Sequence, residues 1–126
     1  MPITKTGVAV LASVSIAAGG TKAAPAAGGT GAAVNTSGHY GGDLTYVITN
    51  GAAAPGAPLT ITFQASHNGT TDWYDYASVA GDIVASSINS GTIWLDQGIM
   101  FVRVLAYGNT TNAVTVQAGL QAITAV

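Results

Sequence analysis

The densest cluster of side chains able to do chemistry is Asp72-Trp73-Tyr74-Asp75-Tyr76. Aromatic rings flanked by carboxylates can stack on sugar rings and accept hydrogen bonds from their hydroxyls, which makes Trp73, Tyr74 and Tyr76, with Trp94, a candidate glycan platform. On a strand, however, Trp73, Asp75 and Ala77 face one way and Tyr74 and Tyr76 the other. That division favours a plainer reading, with Trp73 plugging a core beside Leu59–Ala65 and the tyrosines left as a surface pair.

Other candidate chemistry is thinner. Asp72, Asp75 and Asp82 could offer oxygens to calcium, but their spacing matches no loop that ends in a bidentate ligand. His39 and His67 sit in turn-like sequence, and neither has a second His or a Cys at ligand spacing. Asp43 and Asp96 lie near glycines, where an Asp side chain caps a turn. No Gly-x-Ser-x-Gly elbow supports a serine nucleophile, and the absence of Cys removes thiol catalysis, disulfides and thiolate metal sites. The expectation is a protein that is no enzyme, with no catalytic residues, no metal and no cofactor. The sequons at Asn35, Asn68 and Asn109 are what chance supplies in a chain rich in Thr and Asn.

Composition bounds the partners. Charged residues make up 6% of the 126 residues, against roughly 25% in an average domain. There is no Glu, and Lys5, Lys22 and Arg103 are the fixed cations in a chain of net charge −2. Nothing here would neutralise a row of phosphates, so no nucleic acid is expected. A surface of Thr, Ser, Asn, Gln, Gly and Ala suits a protein covered by neighbours, and a homo-oligomer is the expectation. The run Gly7–Ala18 after Lys5 has the length of a secretory leader, but Val8, Val10, Ala12, Val14 and Ile16 alternate with their neighbours as a strand does. No apolar run reaches the roughly 18 residues that would span a bilayer, so no membrane partner is expected.

The elements that must position these groups read as strands. After the polar lead-in Met1–Thr6, Val8–Ala17 is a long strand, and Gly19–Gly31 is a Gly/Ala-rich arm with little to bury. That arm cannot offset its ordering entropy within one subunit, so it should lie flexible or dock on another surface. Ala32–Thr36, Leu44–Asn50, Leu59–Ser66 and Trp73–Val79 follow as strands, with His67–Asp72 a hairpin turn. Gly81–Ser90 reads as loop with a short strand at Ile83–Ala85, and Ile93–Leu95 as a further strand. Ile99–Tyr107 and Ala113–Ala122 flank Gly108–Asn112 and read as a closing hairpin, with Met100, Val102, Val104 and Ala106 sharing one inner face. Val114, Val116, Ala118 and Leu120 share the other. No segment keeps helical periodicity. The fold expected is all-β, an antiparallel two-sheet β-sandwich of about eight strands, jelly-roll or immunoglobulin-like, with an extended N-terminal arm. Residues 1–36 form the strand and arm and residues 37–126 the sandwich, with a single core overall.

Three segments carry a family resemblance: Asn68-Gly-Thr-Thr-Asp-Trp-Tyr74 after an alternating strand, Phe101-Val-Arg-Val104, and Gly108-Asn-Thr-Thr-Asn-Ala-Val-Thr-Val116. Over roughly residues 40 to 124 the chain resembles small β-sandwich structural proteins of bacteriophage virions, found as head decoration or accessory subunits. The resemblance implies a capsid decoration or cement subunit, made in the host cytoplasm and resident in the virion, with major capsid or other virion proteins as partners. The low-complexity arm departs from a minimal module of that kind. The alternative implied is a tail- or fibre-associated, carbohydrate-binding adhesin module using Trp73, Tyr74 and Tyr76. The candidate interaction residues are Val8, Val10, Val14 and Ile16 on the N-terminal strand, with Tyr74 and Tyr76.

Overall fold

The structure, a computed structural model, describes residues 3–125. Met1 and Pro2 of the polar lead-in, and Val126, lie outside the described residues. The eight strands are β1 (Thr4–Ile16), β2 (Val34–Asn35), β3 (Gly42–Asn50), β4 (Thr60–Ser66), β5 (Tyr74–Ala80), β6 (Ile88–Leu95), β7 (Phe101–Tyr107) and β8 (Val114–Ala125). They form two four-stranded antiparallel sheets, ordered β1-β8-β3-β6 and β2-β7-β4-β5. The pairs β1·β8, β2·β7, β3·β6 and β4·β5 nest inside one another, as in a long hairpin folded over on itself. That nesting is the jelly-roll arrangement.

The expected hairpin between the last two strands does not form. β7 and β8 lie in different sheets, β7 paired with β2 and β4, β8 with β1 and β3. Side by side, the two apolar faces would still need a cover; across the sandwich they cover each other. The connection is held by neighbours instead of by a ladder. Gly19 N–H donates to the Asn109 carbonyl (3.0 Å), Gly108 N–H to Gly20 (3.1 Å) and Gly56 N–H to Thr110 (2.9 Å). Buried Asn109 points its amide nitrogen at the carbonyls of Ile16 and Asn112, both at 3.0 Å.

The core is made by period-two alternation. Leu44 and Ile48 on β3, Ile61 and Phe63 on β4, Val102 and Val104 on β7, and Val114, Val116 and Leu120 on β8 are all buried between the sheets. Phe63 is the largest fully buried side chain. Met100 precedes β7 and is exposed, outside the inner face expected of it.

β6 is the second departure. The strand begins at Ile88, and Ile83–Ala85 is loop. Gly91 interrupts the apolar pattern there, because Tyr46 packs where its side chain would be: a Cβ at Gly91 would stand 2.6 Å from the Tyr46 hydroxyl.

The arm is the third. Its residues are held by their own sandwich: Gly31 N–H donates to Val104 O (2.8 Å) and Ala106 N–H to Gly29 O (2.7 Å), with Thr30 bridged to Leu105. A Cβ at Gly29 would meet Ala106 O at 2.6 Å, and one at Gly31 would meet Val10 O at 2.9 Å. The arm runs between β1 and β7. Main-chain hydrogen bonds and the close approach of small residues replace the side-chain burial the segment lacks.

Candidate functional site

The Asp72–Tyr76 cluster is aimed by the turn before it. In Ser66–Asp72, the Asn68 side-chain oxygen accepts from the amides of Thr70 (3.0 Å) and Thr71 (2.9 Å), and the Ser66 hydroxyl donates to Thr71 O (2.6 Å). Asp72 takes a φ of 57°, in the left-handed region that Asp tolerates better than most residues. This turn delivers Trp73 to the outer face of the β2-β7-β4-β5 sheet. There the Arg103 guanidinium lies 4.3 Å from its ring centroid. Trp73 is therefore half-buried on the outside instead of being the core plug, and Phe63 has that place.

A chain of polar contacts continues from this stack. Arg103 Nε donates to Gln64 Oε1 (3.0 Å), and Gln64 Nε2 donates to Asp75 Oδ1 (3.0 Å). The other Asp75 oxygen is paired with the Lys22 ammonium, which reaches over from the arm. Strand register sets the geometry, since Gln64 stands directly opposite both Arg103 on β7 and Asp75 on β5. The Lys22 hydrogen bond, with that of Gln64, holds the Asp75 carboxyl below its ordinary value of 3.8, and Asp75 raises Lys22 above 10.5. Burial lowers Arg103. One row along, the Thr62 hydroxyl contacts Ser78 Oγ (2.8 Å) and Tyr107 OH (2.9 Å). Both polar atoms of the Gln64 amide are spent within the chain, as is the carboxylate of Asp75.

The candidate sugar aromatics do not converge on one platform. A register shift in the β4·β5 ladder leaves Tyr76 as the extra residue, and its hydroxyl donates to Trp94 O (2.8 Å) and accepts from Asp96 N–H (3.2 Å). Tyr76 thus ties the edge of one sheet to the edge of the other. Tyr74 stands 52% exposed on β5. Trp94, between buried Leu95 and core-packed Ile93, points out of the opposite sheet.

The N-terminal candidates are inside their own domain. Val10 and Ile16 are buried in the core, and Val8 and Val14 pack against it, because β1 pairs with β8 along its length. Val10 and Ile16 are thus spent on the core, and Val8 and Val14 keep part of their surface exposed. Among the described residues no group of three or more His, Asp or Glu side chains is placed to hold a metal ion. Asp82 organises its own loop: its carboxylate accepts from Ser87 Oγ (2.7 Å), Asn89 Nδ2 (3.1 Å), the Val84 amide (3.0 Å) and Asn50 Nδ2 (2.9 Å). These bonds, that of Ser87 first, hold it below 3.8. Asp43 lies within β3 and not in a turn. His67 is exposed, 3.8 Å from the Asp72 carboxylate, and His39 is half-buried.

The surface that sequence reasoning missed is the outer face of β1-β8-β3-β6. Register places Thr45 beside Thr92 and Gly119, Val47 beside Ser90 and Gln117, and Thr49 beside Ile88 and Thr115. Lys5 and Asp43 are the charged strand residues on this face among those described. None of Thr45, Thr49, Ser90, Thr92, Thr115 or Gln117 spends its side chain on a hydrogen bond to another described residue. Exposed Ile83, Val84, Ile88 and Trp94 lie on or beside β6 at its border. The alternation of Ile88, Ser90, Thr92 and Trp94 with Asn89, Gly91, Ile93 and Leu95 was the available signal, weakened by Gly91.

No protein-family model matches the chain, and no curated protein matches it in sequence. Among solved structures it is similar to the SPBc2 prophage-derived protein YomS, at 16% identity over 95% of each chain with a TM-score of 0.48. It is also similar to the K3 cleaved adhesin domain of Lys-gingipain from Porphyromonas gingivalis w83, at 14% identity over 86% of this chain and 73% of that one, again with a TM-score of 0.48. At these scores neither likeness bears on function.

Proposed function

We propose that the chain is a non-enzymatic structural subunit of a bacteriophage virion, a capsid decoration or cement protein. It associates with copies of itself and with major capsid or other virion proteins through uncharged β surface. One observation carries this reading: in the central rows of the outer face of β1-β8-β3-β6, Thr45, Thr49, Ser90, Thr92, Thr115 and Gln117 make no side-chain hydrogen bond to another described residue, beside exposed Ile88 and Trp94. A face with so little charge avoids the cost of burying ions, and its hydroxyls and amides can exchange water for hydrogen bonds across a matching surface. The arm, being docked on its own sandwich, has no part in the proposal. The test is quantitative mass spectrometry of purified particles from the bacterium that carries the gene. A fixed, many-copy stoichiometry supports the reading, and absence of the chain from the particles overturns it.

The adhesin alternative keeps one observation in its favour, the exposed ring of Tyr74. Trp73 is stacked by Arg103 and the Tyr76 hydroxyl is engaged at Trp94 and Asp96, so Tyr74 would act largely alone. A glycan-array signal abolished by Tyr74→Ala, with the fold intact, would favour that reading instead.

A further inference from the structure

Each sheet has two edge strands, and an edge strand offers unpaired N–H and C=O groups to any other strand unless something blunts it. Three of the four are blunted. β2 is two residues long and is continued by the arm at Thr30. β5 carries the register shift at Tyr76 and the Lys22–Asp75 pair. β1 has three register shifts, carries Lys5, and has the arm packed beside Val10. Over Ile88–Thr92 β6 has none of these devices, and only its Trp94 end is met, by the Tyr76 hydroxyl. It runs eight residues in unbroken register with β3 and carries no charge and no proline.

The backbone parity of β6 is fixed by its neighbours. Ser87 gives its carbonyl to Asn50 on the β3 side, whereas Trp94 O and Asp96 N–H are turned the other way, to Tyr76. Ile88, Ser90 and Thr92 therefore present their N–H and C=O groups to the open edge. Their side chains lie on the outer face, away from its charged strand residues Lys5 and Asp43.

We infer that this edge pairs with the same edge of a second copy, antiparallel about a twofold axis at Ser90. This rests on the self-association in the proposed function and names the surface that performs it. The strand is self-complementary in that register. Ile88 of one copy stands beside Thr92 of the other, a β-branched pair, and Ser90 meets Ser90 with no charge opposed. Antiparallel pairing also carries the Trp94 end of each copy to the Ile83, Val84 and Ile88 end of the other, so the apolar residues exposed at each end of the strand cover one another. The two four-stranded sheets become one continuous sheet.

The chain has no cysteine, so an introduced one reports on its own surroundings. In the inferred pair the Ser90 Cα atoms would be about 5.5 Å apart, within disulfide reach. Ser90→Cys should form a disulfide-linked dimer under mild oxidation at least about tenfold faster than Ser15→Cys on β1 or Ser78→Cys on β5, because a pre-formed pair holds its thiols at high effective concentration. Ser90→Lys, which sets two ammonium groups face to face on an exposed position, should convert the sedimenting dimer to monomer while the thermal melt is retained. Equal cross-linking at the three positions, faster cross-linking at Ser78, or a Ser90→Lys protein that sediments as wild type would each overturn the inference. So would a wild-type chain that stays monomeric and is captured at β6 by a different virion protein. Particle composition is read separately, so a failed edge leaves the virion reading standing, and a chain absent from particles leaves the edge standing.

Discussion

The two outer faces of this sandwich both carry hydroxyl and amide side chains and put them to different use. On β2-β7-β4-β5, Trp73, Arg103, Gln64, Asp75 and Lys22 are linked in one run of contacts, and Thr62, Ser78 and Tyr107 in a second. On β1-β8-β3-β6, the hydroxyls and amides of the central rows make no such links among the described residues. Polar side chains that satisfy one another stabilise the subunit that holds them, whereas polar side chains left to water can be satisfied by a partner. Polarity alone does not distinguish a structural face from a free one; the disposition of its hydrogen bonds does.

Removing β1 should cost the most, since it closes one sheet and fills the core against the other. Deleting Thr4–Ile16 takes β1 from β8 and strips Val10 and Ile16 from the core, so the remainder should not fold cooperatively, as circular dichroism and thermal melting would show. A soluble, melting remainder would make the N-terminal strand an accessory. Next comes Phe63→Ala, with an expected loss of about 3–5 kcal/mol in denaturant unfolding, the range for a buried aromatic truncated to Ala. Asn109→Ala removes the bridge to Ile16 and Asn112 and leaves two carbonyls short of a partner, for about 1–3 kcal/mol. Trp73→Ala should cost less than Phe63→Ala, about 1–2 kcal/mol, since a half-exposed ring loses partial burial and a cation–π contact.

The order of those last values measures what the sequence made legible. Alternation in Leu59–Ser66 and Val114–Ala122 located inner faces correctly, because period two is a local property. Trp73 departs from expectation because the same alternation sets it on the side of Asp75, a carboxylate that does not belong in a core, so parity outweighs its large apolar size. Strand partnership was not legible at all for β7 and β8. In a nested roll each strand pairs with one far away in sequence, and a turn-rich linker such as Gly108–Asn112 serves a crossover between sheets as well as a hairpin. The order of the arm is not legible in its side chains, because Gly29 and Gly31 are held through their backbones.

Asp75 and Asp82 have folded-state values depressed below 3.8, so the stability each contributes is present above that value and is lost as pH falls through the depressed one. Lys22 is raised, so its share is present below 10.5 and is lost as pH rises through its folded value. Melting temperature should thus fall gently through the acid carboxylate range, and Lys22→Ala should reduce the part of that slope due to Asp75. Both groups are well exposed, so the change is small. Tyr74→Ala should leave the melt unchanged.

Hydrogen exchange on the assembled chain, compared with the dissociated chain, tests most directly which surface is covered. The amides of Ile88, Ser90 and Thr92 should gain protection on assembly, while Trp73–Ser78 should exchange alike in both states. Protection gained at Trp73–Ser78 with none at Ile88–Thr92 would contradict the account, for it would make the internally bonded face the one that partners cover.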